Sequence, residues 1–160
     1  MFRVGRSRTG LGVFAVAPIA RGKFIAEYWG KRIRNEEADR RNNRYMFEIS
    51  SRWTIDGSDR RNVARYINHA CRPNAEVRIY QGRIRIYALK NIKPGDEITY
   101  HYGRPYFEEF LRKPGCKCAT CLKKRVALKE SARRRQRRRR GAHAPSKRHV
   151  PPIGQHRARI

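Results

Sequence analysis

Acidic residues are scarce in this sequence. Asp and Glu number 13 against 40 Lys and Arg in 160 residues, a formal charge of +27 at pH 7. That imbalance argues against cationic partners in bulk and favours nucleic acid, anionic lipid or another polyanion. Hydrophobic residues are also few, at 39%, below the usual ~45–50%. No apolar run approaches the ~20 residues that a membrane helix needs, so no membrane partner is expected. Arg3, Arg6 and Arg8 precede the apolar run Leu11–Ala20, but Gly10, Gly12 and Pro18 interrupt that stretch and argue against a cleaved signal sequence. The expectation is an intracellular chain whose cysteines are reduced. No internal repeat is present.

The charge is unevenly placed. Residues 1–110 hold 22 Lys/Arg and 12 Asp/Glu, whereas residues 111–160 hold 18 and 1. A basic tail therefore follows a more balanced domain of about 110 residues, a size at which stability is marginal unless something staples the fold. Within the domain, Val13–Val16 and Phe24–Trp29 read as strands with a turn over Pro18–Gly22. Tyr45–Ile49 and Trp53–Asp56 read as a hairpin, and Glu36–Arg44 as a short helix or loop. Val77–Tyr80 and Arg83–Leu89 alternate apolar with polar residues around Gln81-Gly82, a good hairpin turn. A turn at Lys93–Asp96 leads to a last strand, Glu97–Tyr100. Many short strands with few helices indicate a mostly β domain. Tyr106–Leu111 reads as one or two helical turns. Val126–Arg140 has helical character countered by arginine repulsion, and Gly141–Ile160, with Pro145, Pro151 and Pro152, reads as disordered.

Only four cysteines are present: Cys71, then Cys116, Cys118 and Cys121 in Cys-Lys-Cys-Ala-Thr-Cys. Four thiolates satisfy tetrahedral zinc. The alternatives are small core residues or a redox Cys-x-x-Cys. The second lacks a βαβ context, and the first lacks a core, because the triad lies in a polar, lysine-rich segment. Zinc bound by all four would pin the start of the tail to the segment around Cys71 and supply the staple.

Arg65-Tyr66-Ile67-Asn68-His69-Ala70-Cys71-Arg72-Pro73-Asn74 resembles the R-F-I-N-H-S-C-x-P-N signature of SET-domain protein lysine methyltransferases. Gly10-Leu11-Gly12-Val13-Phe14 is similar to that family's opening G-x-G, and Glu27-Tyr28-Trp29-Gly30 to its E-Y-x-G. Gly95–Gly103 is similar to G-E-E-L-T-Y-D-Y-G, and Cys116, Cys118 and Cys121 resemble the post-SET zinc triad. Five blocks occur in the family's order over roughly residues 3–122. The sequence departs from the pattern at Ala70, usually Ser, at His101, usually Asp, at Lys31, often acidic, and in its shorter Cys-x-Cys-x2-Cys spacing. None of these removes a catalytic group.

The resemblance implies a mostly β SET-domain fold of small β-sheets with a threaded pseudoknot and short helices, to which the sequence adds a basic disordered tail. It implies a SET domain over residues 1–104 and a post-SET-like zinc segment over 105–123; composition adds an Arg-rich, largely disordered tail over 124–160. The implied activity is methyl transfer from S-adenosylmethionine to a protein lysine, mainly as monomethylation with some dimethylation. By motif position Tyr102 matches the catalytic tyrosine, Tyr28 a channel tyrosine and Tyr100 the position that tunes product multiplicity. Gly10, Leu11, Gly12, Tyr45, Asn68 and His69 match cofactor contacts. Cys71, Cys116, Cys118 and Cys121 match the zinc ligands.

Outside the resemblance, Arg133–Arg140 carries seven arginines in eight positions. Phosphate-driven, sequence-independent nucleic-acid binding is the first reading, and a localisation signal the second. Two functions follow. One is a protein lysine methyltransferase recruited to nucleic acid by its tail, acting on a lysine-containing and DNA-associated protein. That places it in the cytoplasm or nucleoid of a bacterium, or the nucleus and chromatin of a eukaryote. The other is a zinc-stapled nucleic-acid-binding module with a vestigial methyltransferase site. Cofactor binding discriminates the two.

Overall fold

The computed structural model describes residues 1–41 and 43–142. They form two compact units, one spanning Met1–Lys123 and the other beginning at Lys124. In the first unit ten short strands build three small sheets. The first sheet orders β1 (Phe2–Ser7), β2 (Gly10–Ala15), β10 (Glu97–Tyr100) and β7 (Asn68–His69). The second orders β3 (Phe24–Tyr28), β9 (Arg83–Ala88) and β8 (Ala75–Tyr80). The third orders β4 (Lys31–Arg34), β6 (Trp53–Asp56) and β5 (Met46–Glu48). This is the mostly β architecture of small sheets that the sequence predicts.

The apolar alternation explains the core. Ile84, Ile86 and Ala88 alternate along β9 and are fully buried, while Arg83, Arg85 and Tyr87 between them are not. At the β8–β9 turn both Gln81 and Gly82 have positive φ, 49° and 72°, as a two-residue hairpin turn requires. Val13, Ile67, Ile92 and Ile98 complete the centre of one cluster that also takes in Tyr28 and Tyr100. Pro18–Gly22 is more than a turn: Ile19 is buried and bridges to Ile92.

One pairing is parallel and joins distant segments. Thr99 stands beside Asn68 and Tyr100 beside His69, and the Ala70 N–H donates to the Tyr100 carbonyl at 3.1 Å. Asn74 stitches the same two segments. Its amide donates to the Glu97 carbonyl at 2.9 Å, and its Oδ1 accepts from the Thr99 N–H at 2.8 Å. Residues 67–74 and 97–102 therefore run side by side.

Short helices fill the remainder. α1 (Asn35–Arg40) has Glu36 and Glu37 in its first turn and Arg40 in its last, which complements the helix dipole, and it buries Ala38. A 3₁₀ turn covers Val63–Tyr66. α2 (Arg104–Tyr106) starts at Gly103, whose φ of 89° reverses the chain, and runs into a π-helical turn over Phe107–Leu111.

The second unit begins within a helix, which carries the helical character read for Val126–Arg140. α3 spans Ala119–Ala142. Ala, Leu, Lys, Arg and Gln are good helix formers, and from Ala119 on no Pro or Gly intervenes before Gly141. Propensity outweighs repulsion between like charges of a few tenths of a kcal/mol per pair. The expected disorder of residues 143–160 falls outside the described residues.

Candidate active site and cysteine cluster

A cleft of about 830 Å³ opens in the first unit. Tyr28, Tyr45, Asn68, His69, Tyr100 and Tyr102 all line it, with Leu11 at its rim. The sequence-predicted residues thus converge from β3, the segment before β5, β7 and the end of β10. Gly10 and Gly12 do not line the cleft. Gly10 has φ of 118°, a conformation that side chains with a Cβ rarely adopt. A Cβ on Gly12 would lie 2.6 Å from Glu97 Oε1 and 3.2 Å from Asn68 Nδ2.

The tyrosine hydroxyls are held in fixed directions. Tyr28 donates to the Tyr45 carbonyl at 2.7 Å, and Tyr102 donates to the Ile67 carbonyl at 2.7 Å. Each hydroxyl proton is thereby engaged, leaving the oxygen lone pairs to accept. The Tyr100 hydroxyl has no partner among the described residues. Burial raises the pKa of all three tyrosines above the ordinary phenol value, so they are neutral at physiological pH. Gly57 lets the Tyr28 ring pass, since a Cβ there would sit 2.3 Å from it.

Sequence reasoning missed part of this aromatic wall. Tyr106 packs edge-on against Tyr102 at 4.9 Å, and Phe110 lies 4.7 Å from Tyr106. Phe47 covers Tyr28 at 5.5 Å. The Arg65 guanidinium sits 3.9 Å over the Tyr45 ring. The only signal for Tyr106 is its place in the helical turn just after the last strand.

Asn68 and His69 are set by β7. The Asn68 amide nitrogen donates to the Leu11 carbonyl at 2.9 Å and to Glu97 Oε1 at 2.7 Å. Both amide protons are used, which leaves Oδ1 able to accept from a cationic donor. His69 is buried. Its burial, and then the nearby His101, lower its pKa to about 4.

The four cysteines come together despite the short spacing. Their sulfurs all lie within 4.8 Å of one another, with Cys71–Cys116 at 3.9 Å and Cys71–Cys121 at 3.5 Å. Tetrahedral zinc with Zn–S of ~2.3 Å sets sulfurs about 3.8 Å apart, so the set fits the metal. Burial, and then the Cys121 thiol, push Cys71 up, and burial also pushes Cys116 up. At Cys118 burial opposes the shift, but backbone hydrogen bonds at Cys71 and Cys121 bring the thiol down to about 7. A divalent cation offsets the desolvation and mutual repulsion that keep such buried thiols protonated. Cys116 and Cys118 also line the cleft, so the cluster forms part of its wall.

No helix among the described residues is long and apolar enough to cross a membrane. The SET domain family model matches residues 10–103. A histone-lysine N-methyltransferase of Yarrowia lipolytica, H3 lysine-4 specific, is 35% identical over 125 residues, covering 66% of this chain and 11% of its own. Histone-lysine N-methyltransferase set-2 of Caenorhabditis elegans is 39% identical over 137 residues, covering 76% and 9%. A chain of the solved ctPRC2 complex is 28% identical with a TM-score of 0.63, covering 72% of this chain and 16% of that one. The chain thus spans 9% to 11% of the length of these two curated relatives. The blocks at Gly10, Tyr28, Asn68 and Tyr102 all lie inside the matched region, and the chain belongs to the SET domain family.

Proposed function

We propose that this chain is an S-adenosylmethionine-dependent protein lysine N-methyltransferase whose structural zinc is held by Cys71, Cys116, Cys118 and Cys121. The observation that carries the reading is the convergence of three neutral tyrosines, Tyr28, Tyr100 and Tyr102, with Asn68 on one cleft. The histone-lysine methyltransferase relatives support a protein substrate and, in a eukaryote, a chromatin setting.

The residues account for the chemistry. A lysine of pKa ~10.4 is neutral in only about one molecule in a few thousand at pH 7, and its protonated form has no lone pair. The rings of Tyr28, Tyr100, Tyr102 and Tyr106 exclude water from the side-chain stem and disfavour the ammonium. The Tyr28 and Tyr102 oxygens, with their own protons committed to Tyr45 and Ile67 carbonyls, accept from the amine N–H groups and aim its lone pair. Alignment in such a tube lowers the barrier without a charged side chain. When bound, S-adenosylmethionine supplies the activated methyl group on a sulfonium. Asn68, tied to the Leu11 carbonyl, and Leu11 itself would hold the cofactor in this reading. The free Tyr100 hydroxyl crowds its inner wall, which favours monomethyl product with some dimethyl.

α3 supplies nucleic-acid binding in this reading. Between Arg133 and Arg139 every residue but Gln136 is arginine, and Glu130 is the sole acidic residue of the helix. Such repulsion is relieved by phosphates.

The test is incubation with labelled S-adenosylmethionine and whole-cell lysate, followed by mass spectrometry of methylated lysines. Transfer to protein lysines supports the enzyme. Absence of both transfer and cofactor binding, alongside tight DNA binding, would establish the zinc-stapled binding module instead.

A further inference from the structure

A second site lies outside the cleft. β4 is an edge strand, and of Lys31-Arg32-Ile33-Arg34 only Ile33 is buried. Strand alternation puts Arg32 and Arg34 on one face. Both stack on one indole, with the Arg32 guanidinium 4.2 Å and that of Arg34 4.3 Å from the Trp53 ring centroid. Trp53 is half-buried on β6, directly across from Arg34.

The two charges repel, and no carboxylate among the described residues pairs with either. Glu37, in the helix that follows, is taken by Arg41. The contrast is with the neighbouring sheet, where Arg78 stacks on Tyr87 at 4.5 Å yet keeps Glu76, and Arg83 keeps Glu27. A flat indole fixes the planes of two guanidiniums and reduces the rotamer freedom they would lose on binding. Their outward N–H groups are then ready for bidentate contact with phosphate oxygens.

We propose that the Arg32–Trp53–Arg34 stack is a phosphate clamp through which the domain grips a nucleic-acid backbone. Charge complementarity calls for a polyanion, and the regular, dense phosphate charge of a duplex favours it over an acidic peptide. Two cations about 7 Å apart along a strand lie on a domain whose first 110 residues carry 22 Lys/Arg against 12 Asp/Glu. A duplex, with one charge per ~1.7 Å of axis, engages such a surface continuously. The clamp does not depend on the arginines of α3.

The test measures binding of the full chain to a short duplex of random sequence across a salt series. Arg32→Gln with Arg34→Gln should lower the log–log salt slope by about 1.8 and leave methylation of a short free peptide unchanged. Lys90→Gln with Lys93→Gln, an equal charge loss at exposed positions elsewhere, should leave the slope intact. Arg32→Lys with Arg34→Lys keeps the charge and should hold the slope while weakening affinity severalfold. An unchanged slope in the glutamine pair, an equal fall in the Lys90/Lys93 pair, or full affinity in the lysine pair would each overturn the clamp. Competition by polyglutamate as effective as by DNA would assign the surface to an acidic protein. Arg137→Gln with Arg138→Gln separates this site from α3: a slope reduced there and kept in the Arg32/Arg34 pair would leave the tail reading standing and this one refuted.

Discussion

The backbone N–H of Tyr102 donates to Nδ1 of His69 at 3.2 Å. That bond makes Nδ1 an acceptor and leaves the ring proton on Nε2, which faces Cys71 Sγ at 3.4 Å. One neutral imidazole therefore joins the cysteine cluster to the tyrosine that aims the amine. Metal loss is expected to reach the cleft by this route.

Cys71→Ser should lower zinc content and cofactor affinity together. Structural zinc contributes on the order of 10 kcal/mol of coupled folding energy, so the melting temperature should fall sharply as well. Metal analysis by plasma mass spectrometry, paired with a thermal melt, checks this. A full zinc atom per chain in the variant would rule out the shared four-cysteine site.

Tyr28, Tyr100 and Tyr102 should stay protonated when ordinary tyrosines ionise. Burial raises their pKa above the ordinary phenol value, so the folded state holds protons that the unfolded state has released. The stability this contributes is complete below pH ~10 and is lost as the pH climbs through the higher folded values. Ultraviolet titration should show three or more of the eight tyrosines ionising late, together with alkaline unfolding. Eight equivalent tyrosines titrating near ~10 in the folded protein would contradict the buried cleft.

Tyr100→Phe should raise the proportion of di- and trimethyl product. The hydroxyl it removes has no partner among the described residues, so the fold is little weakened. The space it vacates is what a methylated amine needs in order to rotate. Turnover of the first methyl should change little, because Tyr102 keeps its bond to Ile67. Mass spectrometry of one peptide at high conversion reads the ratio. Abundant trimethyl-lysine from the unsubstituted enzyme would refute this role.

Truncation after Val126 should weaken DNA binding and flatten its salt dependence, by about 0.9 in slope for each phosphate no longer neutralised. Activity on a free peptide should persist, since the cleft is lined by residues no later than Cys118. An unchanged slope would place binding on the domain.

The site is largely legible in the sequence because its chemistry sits in contiguous blocks. Asn68, His69 and Cys71 lie within four residues, as do Tyr100 and Tyr102 within three, and local geometry carries them to the cleft. The β8–β9 hairpin is legible from Gln81-Gly82 and the isoleucine alternation. β1 and β4 are not, because Arg3 and Arg6 fall out of step with a period of two in Phe2–Ser7 and Ile33 is the one apolar residue of Lys31–Arg34. The β7–β10 pairing joins two-residue segments about 30 residues apart, and no local signal specifies it. Tyr106 escapes notice because its role comes from packing on Tyr102, which only the three-dimensional path of the chain after Gly103 creates. α3 is obscured because two opposing signals, arginine repulsion and high helix propensity, run along the same residues, and propensity wins.

The most direct test of methyl transfer at this cleft is single-turnover transfer from S-adenosylmethionine to a lysine peptide, comparing the natural chain with Tyr102→Phe, with cofactor affinity measured by calorimetry on both. The substitution removes one hydroxyl and its bond to the Ile67 carbonyl, a stability loss of about 1 kcal/mol. The natural chain should transfer the methyl readily, and the variant should be slower by at least about a hundredfold at unchanged cofactor affinity. Equal rates in the two proteins, or no transfer by either, would contradict methyl transfer aligned by Tyr102.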